Sequence, residues 1–531
     1  MAFVTLPFIL FIGATAVLYF LVPKRLQWIV LLAASLVFFW LNSEWLVLIM
    51  LGQTVVTFYI AKGIAQIQTK GKLELKEKKD SLTAEERKAV KGRTKKKSKR
   101  LLILGILINL GILAFLKYSG IFVTGSNLIL RRFGIEIPRF RFLLPIGISF
   151  YTLQAISYMT DVYRAKIEPD RNIAKFTLFM SYFPQILQGP IPRYNQLAGQ
   201  LYEGHKFDYQ RVCFGAQLIL WGFFQKLVIA DRMGVAVDYI FSHRGSFHGA
   251  EVWFAVALYG IQMYADFAGG IEIARGVSQI FGIELTKNFE QPYFSRSLEE
   301  FWRRWHISLG DWMKDYVFYP LSLSKASTRL GKRARKWFGD YLGKRIPSYL
   351  ATFIVFLLVG VWHGSSLKYV AYGIWNGGVI VSSLLLAGVY AKVRGFLGIK
   401  EDMFSFRVFQ MLRTFLVVTC GRFFDRAATF RTGYAMLKSA FVGWWDFSFI
   451  VDGTLATTGL NTANWIVLLL AVLVLLFIDY LHTKNIQIRN KIAEQPLVFR
   501  WIIYYAAILI VFIYGVWGPH YDSVSFMYEQ F

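Results

Sequence analysis

Cysteine, acidic residues and charge in general are scarce in this chain. Its 531 residues include 2 cysteines, Cys213 and Cys420, both within apolar stretches. Neither has a neighbouring partner or metal-ligand spacing, which argues against disulfide and zinc chemistry. Charged residues make up 18% of the chain and hydrophobic ones 55%, leaving too little polar surface to cover a water-soluble globule of this size. No short-period repeat marks a solenoid, and no Pro- or Ser-rich linker separates soluble modules. Residues 1–531 therefore read as a single membrane domain.

Apolar sequence is abundant instead, with a mean hydropathy of +0.43. Stretches approaching the roughly 20 helical residues that cross a bilayer recur at 6–22, 28–41, 45–61, 101–116, 212–230, 349–361, 369–389, 465–481 and 501–517. The fold class this predicts is all-α, a polytopic transmembrane helical protein. No Lys or Arg precedes the first stretch, and Lys24 and Arg25 follow it, so it is expected to be a retained helix with its N-terminus outside rather than a signal peptide. Counting onward puts Lys24 and Arg25 inside, the turn at 42–44 outside, and the loop after Ala61 inside. Between Lys70 and Arg100 that loop carries fourteen Lys/Arg against five Asp/Glu, the asymmetry expected of a cytoplasmic segment. Within it, Ser81-Leu-Thr-Ala-Glu-Glu reads as a helix start capped by Ser81 or Thr83. A basic, cytosolic helical-hairpin extension at about 62–100 follows.

The net charge of +27 invites a nucleic-acid reading, but the basic residues concentrate between apolar stretches, at 95–100, 332–336 and Lys344-Arg345. Positive-inside topology accounts for them without nucleic acid. Attraction of an anionic cytosolic donor or of lipid headgroups is compatible with that topology.

Residues 288–321, NFEQPYFSRSLEEFWRRWHISLGDWMKDYVFYPL, mix apolar and charged side chains too closely for a lipid-facing helix. Unpaired polar groups in hydrocarbon cost several kcal/mol, so such sequence must be shielded by protein or lie at a water-filled cavity. It is expected to form amphipathic or re-entrant helices on the cytoplasmic side, with Arg303, Arg304, Asp311, Lys314 and Asp315 pairing with one another. Two histidines stand out. His363 ends an apolar run between Gly360 and Gly364, which admit close approach of a backbone or substrate. An ionisable group there is a functional candidate, and imidazole suits general-base work near neutral pH. His306, beside Arg303 and Arg304, fits orientation of a polar helix as well as it fits chemistry.

The block ending in Trp305-His306-Ile-Ser-Leu, followed by Leu358-Val-Gly-Val-Trp-His363-Gly, resembles the signature pair of the membrane-bound O-acyltransferase superfamily. The branch it is most similar to is bacterial, acting on alginate, peptidoglycan and teichoic acid. The segments LPIGISFYTLQ from Leu144, YFPQILQGPI from Tyr182 and YADFAGG from Tyr264 agree. At Asp266 the sequence departs from the branch's DFSGYSDIA-like pattern: Gly269-Gly270-Ile271-Glu272 replaces its second half. The resemblance implies a catalytic His363 and a second histidine, His306, and a central tunnel joining a cytosolic thioester donor to an acceptor on the other face. It further implies acetyl-CoA as donor substrate with no bound cofactor, a bacterial cytoplasmic-membrane location, a polysaccharide acceptor and an extracytoplasmic esterase-like (SGNH-type) partner. Arg303, Arg304 and Lys314 are then candidate contacts for the anionic donor.

Positive-inside bookkeeping from Lys484, Arg489, Lys491 and Arg500 places a tail at 519–531 outside. Its ending, Phe526-Met-Tyr528-Glu-Gln-Phe531, resembles the F-x-Y-x-x-F ending found in this branch or in its small partner peptides and makes Tyr528 a candidate acyl carrier; an aromatic tail lying at the interface is the plainer alternative. A phenol and an imidazole differ by about 3.5 pKa units, so prior proton transfer to His363 costs roughly 5 kcal/mol. Proton removal is therefore expected as the acyl bond forms. Ser365, a backbone amide or His306 are the candidate oxyanion donors. D-alanyl transfer to teichoic acid is the alternative within the branch. A flippase for a lipid-linked glycan is the alternative from another class, disfavoured by the lack of paired broken helices in matching halves.

Overall fold

The computed structural model describes residues 3–136, 138, 144–443 and 445–517. Among these, regular structure is helical throughout, apart from one isolated antiparallel bridge between Phe289 and Trp305. The chain forms two compact units, one of Met1–Cys213 with Val277–Leu285, the other of Phe214–Gly276 with the residues from Thr286 onward.

The first unit holds α1 (Leu6–Leu21), α2 (Gln27–Ser43), α3 (Val47–Glu77), α4 (Ala84–Leu130), α5 (Ile148–Tyr163), α6 (Ile173–Ser181), the short α7 (Phe183–Ile186) and α8 (Tyr194–Tyr202). Helices α3 and α4 continue well past their apolar portions, so the polar stretch at 62–100 is a helical hairpin. Thr83 is its cap: Thr83 Oγ1 accepts the Glu86 amide at 3.3 Å, and the Glu86 carboxylate accepts the Thr83 amide at 2.8 Å. Two amides at the helix end are thereby satisfied. Small residues bring the two helices together, since a Cβ on Gly71 would strike Thr94 and one on Gly63 would lie 2.9 Å from Leu101. The helix the hydropathy reading passed over is α5. Fourteen of its 16 residues are buried, so it has no lipid face and carries polar residues such as Gln154, whose amide donates to the Phe179 carbonyl at 2.7 Å.

The second unit takes up within α9 (Tyr209–Phe223), which runs through a π-helical segment, Phe224–Ala230, into α10 (Asp231–Ser242). Helix α11 (Gly249–Ile280) follows, then the short α12 (Leu298–Arg304), α13 (Ile307–Met313) and α14 (Tyr319–Ser322). The long α15 (Lys325–His363), α16 (Leu367–Leu385), α17 (Ala387–Phe396) and α18 (Phe404–Arg426) come next. The chain then passes α19 (Phe430–Ser439), α20 (Thr454–Thr457), α21 (Thr462–Thr483), α22 (Ile488–Ala493) and α23 (Leu497–Tyr514). Helices α9 and α11 touch backbone to backbone: a Cβ on Gly222 would lie 2.6 Å from Ile273, and one on Gly276 would lie 2.5 Å from the Gly215 carbonyl. Gly269 abuts the Gly222 carbonyl, so this part of the departure at 269–272 has a packing role.

Each of the nine apolar stretches lies largely within helix. The stretch at 369–389, expected as one run, bends by 58° between α16 and α17, and α15 breaks at Gly339, where φ is 74°. Among the described residues six helical segments are long and apolar enough to cross a membrane, or seven with the bent pair as one. The protein is a multi-pass membrane protein.

Inside the second unit the π-helical turn points Lys226 inward, with its ammonium 2.6 Å from Asp266 and 2.9 Å from Asp231, all three nearly buried. Removing one partner of a buried ionic cluster strands the others' charge, at about 3–5 kcal/mol. Lys226→Met is therefore expected to lower the melting temperature of the detergent-solubilised protein, and adding Asp266→Asn to restore part of the loss. Unchanged melting of the single variant, followed by size-exclusion-monitored heating, would contradict this reading.

Candidate active site

The block at 288–321 builds its chemistry from short helices. Ser297 caps α12 by accepting the Glu300 amide at 3.1 Å. Glu299 and Glu300 occupy the first turn and Arg303 and Arg304 the last, each sign at the helix end that favours it. The expected pairing among Arg303, Arg304, Asp311, Lys314 and Asp315 holds for Lys314 with Asp311, at 2.6 Å. The arginines instead take glutamates one turn back, Arg303 with Glu299 at 2.6 Å and Arg304 with Glu300 at 2.7 Å, because residues four apart share a helix face. Arg303 and Lys314 are exposed, whereas Arg304 is half-buried.

Between α12 and α13 the chain turns through an unusual conformation. Trp305 is extended and forms the bridge with Phe289, and His306 adopts φ 49° and ψ 52°. A non-glycine residue in this left-handed region persists only where its surroundings over-determine it. Asn288 does so. Its backbone carbonyl accepts the Ile307 amide at 3.0 Å, and its Oδ1 accepts both the amide and the hydroxyl of Ser308 at 2.9 Å. The Asn288 carboxamide also meets His306 Nδ1, with Nδ2 at 3.1 Å and Oδ1 at 3.3 Å; Oδ1 already accepts two donors from Ser308, which favours Nδ2 as the donor to Nδ1. With Nδ1 as acceptor, the ring proton of neutral His306 belongs on Nε2. The ring is 3% exposed and meets Phe267 edge-on at 4.9 Å. Burial first, and nearby His363 second, hold its pKa well below the ordinary imidazole value, so it is neutral.

His363 is the last residue of α15. Tyr369 stacks on it at 6.3 Å between ring centroids, and Tyr372 meets it edge-on at 5.9 Å. The Trp362 indole lies 5.2 Å from the His363 ring and 6.2 Å from the His306 ring, so the two histidines, 57 positions apart in sequence, flank one indole. The close approach expected around Gly360 and Gly364 comes from α16. A Cβ on Gly360 would strike the Tyr369 carbonyl and lie 3.2 Å from Gly373, and one on Gly364 would strike the Tyr369 ring. One layer further out lies Arg422, 1% exposed, with its guanidinium 4.7 Å from the Trp305 ring centroid and 3.2 Å from the Asp425 carboxylate. Asn288, Ser308, Phe267, Tyr372 and Arg422 were not singled out from sequence. Asn288 alone gave a signal, as the first polar residue of a block too polar for lipid. Ser365 is exposed, and Tyr528 lies outside the described residues.

A family model described as MBOAT, the membrane-bound O-acyltransferase family, matches residues 148–418, the span that carries both histidines. The chain belongs to that family. It is 30% identical over 488 residues to a probable alginate O-acetylase AlgI of Pseudomonas aeruginosa, covering 91% of this chain and 82% of the relative. It is also 30% identical over 302 residues to a peptidoglycan O-acetyltransferase of Helicobacter pylori, covering 52% and 54%. Against a teichoic acid D-alanyltransferase of Bacillus subtilis the figures are 30% over 237 residues, 44% and 56%. This membrane-bound O-acyltransferase thus carries its paired histidines in an aromatic enclosure held by Asn288. Asn288→Ala is expected to free the 305–308 turn and cut acyl transfer about a hundredfold, the scale of a misplacement near 1 Å. Wild-type turnover by the purified variant would refute the positioning role.

Proposed function

We propose that the protein moves an acetyl group from cytosolic acetyl-CoA toward hydroxyls of an extracytoplasmic polysaccharide, an alginate-like exopolysaccharide or peptidoglycan, across the bacterial cytoplasmic membrane. The observation that carries this reading is the pair of imidazoles flanking Trp362 inside an aromatic enclosure. His363 is the base that takes the acceptor hydroxyl's proton as the acyl bond forms. His306, whose Nδ1 is taken by Asn288, presents Nε2–H and stabilises the oxyanion. Aromatic walls exclude water and spare the thioester from hydrolysis.

On this reading Arg303, Arg304 and Lys314 meet the anionic donor, Tyr528 relays the acyl group at the outer face, and an esterase-like SGNH-type partner completes transfer to the polymer. Acetyl is favoured over D-alanyl because the chain matches the probable alginate O-acetylase over 91% of its length and the D-alanyltransferase over 44%.

With labelled acetyl-CoA and purified protein, His363→Ala is expected to lower CoA release by about a thousandfold or more, and His306→Ala by about a hundredfold. Full activity of the His363 variant sinks the assignment. Mass spectrometry of the C-terminal peptide after incubation with donor should show acetylated Tyr528; an unmodified peptide together with a fully active Tyr528→Phe protein ends the relay.

A further inference from the structure

The second unit contains a cavity of about 510 Å³, walled by α9, α11, α21, α22, α23 and the 287–291 segment. That is within the size range of ligand sites, roughly 300–1,000 Å³. Neither histidine lines it. Phe289 closes that side, packing edge-on against Phe267 and Trp305, each at 5.0 Å, and Phe267 in turn meets His306. The cavity therefore backs onto the histidine site across one extended strand of chain.

The walls grade from polar to apolar. Lys287, exposed at one end, has no hydrogen-bond or ion-pair partner among the described residues, and Arg275 and Arg489 stand beside it. Beyond them the walls are Leu218, Trp221, Val474, Ile478, Ile503 and Ile510. The wall stretch from Ile503 to Val511 rises about 12 Å along α23. At the far end, Gln225 is 2% exposed, and its amide oxygen has no partner among the described residues. Of the carboxylates in the walls, Glu272 is held by Arg275 at 2.7 Å and Asp479 accepts the Tyr264 hydroxyl at 2.9 Å, which leaves Glu290 at the exposed end. At the exposed end, with Glu272 and Arg275 paired and Asp479 buried, Lys287 and Arg489 face Glu290, one cation more than carboxylate. Lys484, Arg489 and Lys491, on the connection from α21 to α23, and Arg500 in the first turn of α23 put that end on the cytoplasmic side by the positive-inside rule. The cytoplasmic leaflet is the one rich in anionic lipids.

We propose that this cavity is a binding site for an anionic glycerophospholipid, its phosphate at Lys287 and Arg489 and one acyl chain in the apolar shaft between α9, α21 and α23. The site is distinct from the acyl-transfer centre, so retention of lipid does not depend on the proposed chemistry.

The test uses the full-length protein, reconstituted in nanodiscs containing both phosphatidylglycerol and phosphatidylethanolamine, then extracted in mild detergent and analysed by native mass spectrometry. Wild type is expected to retain phosphatidylglycerol in preference to phosphatidylethanolamine. Ala507→Trp, which fills the shaft, is expected to lose the bound lipid. Lys287→Glu changes an exposed side chain and leaves the fold alone; it is expected to weaken phosphatidylglycerol retention about fivefold or more, the scale of one interfacial charge. No retained phospholipid in wild type, equal retention of the two lipids, unchanged retention in both variants, or stoichiometric displacement by acetyl-CoA would each overturn the assignment.

Discussion

The geometry of the candidate site depends on one asparagine. A backbone that stops one helix, turns through the left-handed region at His306 and starts another exposes amide groups that the interior cannot leave unmet. Asn288 supplies a backbone carbonyl to Ile307, a side-chain oxygen to Ser308 and an amide to the imidazole. The three contacts fix the turn and the ring's orientation together. A second residue capable of only one of them would leave His306 free to rotate, and the 6.2 Å relation to Trp362 would no longer be specified.

The other histidine is placed by different means. Apolar side chains gain little by meeting one another rather than lipid tails, so helices in a membrane associate through packing and polar contacts, and small residues decide how close they come. Around His363 those residues are Gly360, Gly364 and Gly373, which let the α16 backbone and the Tyr369 ring come into contact with α15. Around α9 and α11 they are Gly215, Gly222, Gly269 and Gly276, with Lys226, Asp231 and Asp266 as the buried ionic lock of the same unit. His306 is thus held by hydrogen bonds to Asn288, and His363 stands where small residues bring α15 and α16 close.

Much of this was legible in the residues. Apolar run length gave the helical class and the nine stretches, because a lipid-facing helix must be apolar over most of its surface. Helix α5 escaped that signal, since a helix buried on all sides by protein tolerates Gln154 and Thr152 as readily as leucine. His363 announced itself through its flanking glycines and apolar context. The position of Asn288 beneath His306 did not, because the contact depends on a strand-like pairing of Phe289 with Trp305 that leaves no periodicity in sequence. The ion pairs of α12 were misassigned for a related reason. The expected partners lay within 303–315, whereas residues four apart share a helix face, which pairs Arg303 with Glu299 and Arg304 with Glu300.

On the proposed reading, the tautomer divides the labour between the histidines. A ring whose Nδ1 already accepts a hydrogen bond and whose burial keeps it neutral offers the reaction a donor at Nε2. To act as base, the same ring would have to become a buried imidazolium at both nitrogens, with the Asn288 amide then turned donor-to-donor against it unless the carboxamide flipped. A flip would take Oδ1 from Ser308 and present two amide hydrogens to Ser308's own donors, loosening the turn that holds the ring. His363 carries no such constraint from Asn288, so on the proposed reading the arrangement that assigns donation to His306 assigns proton removal to His363.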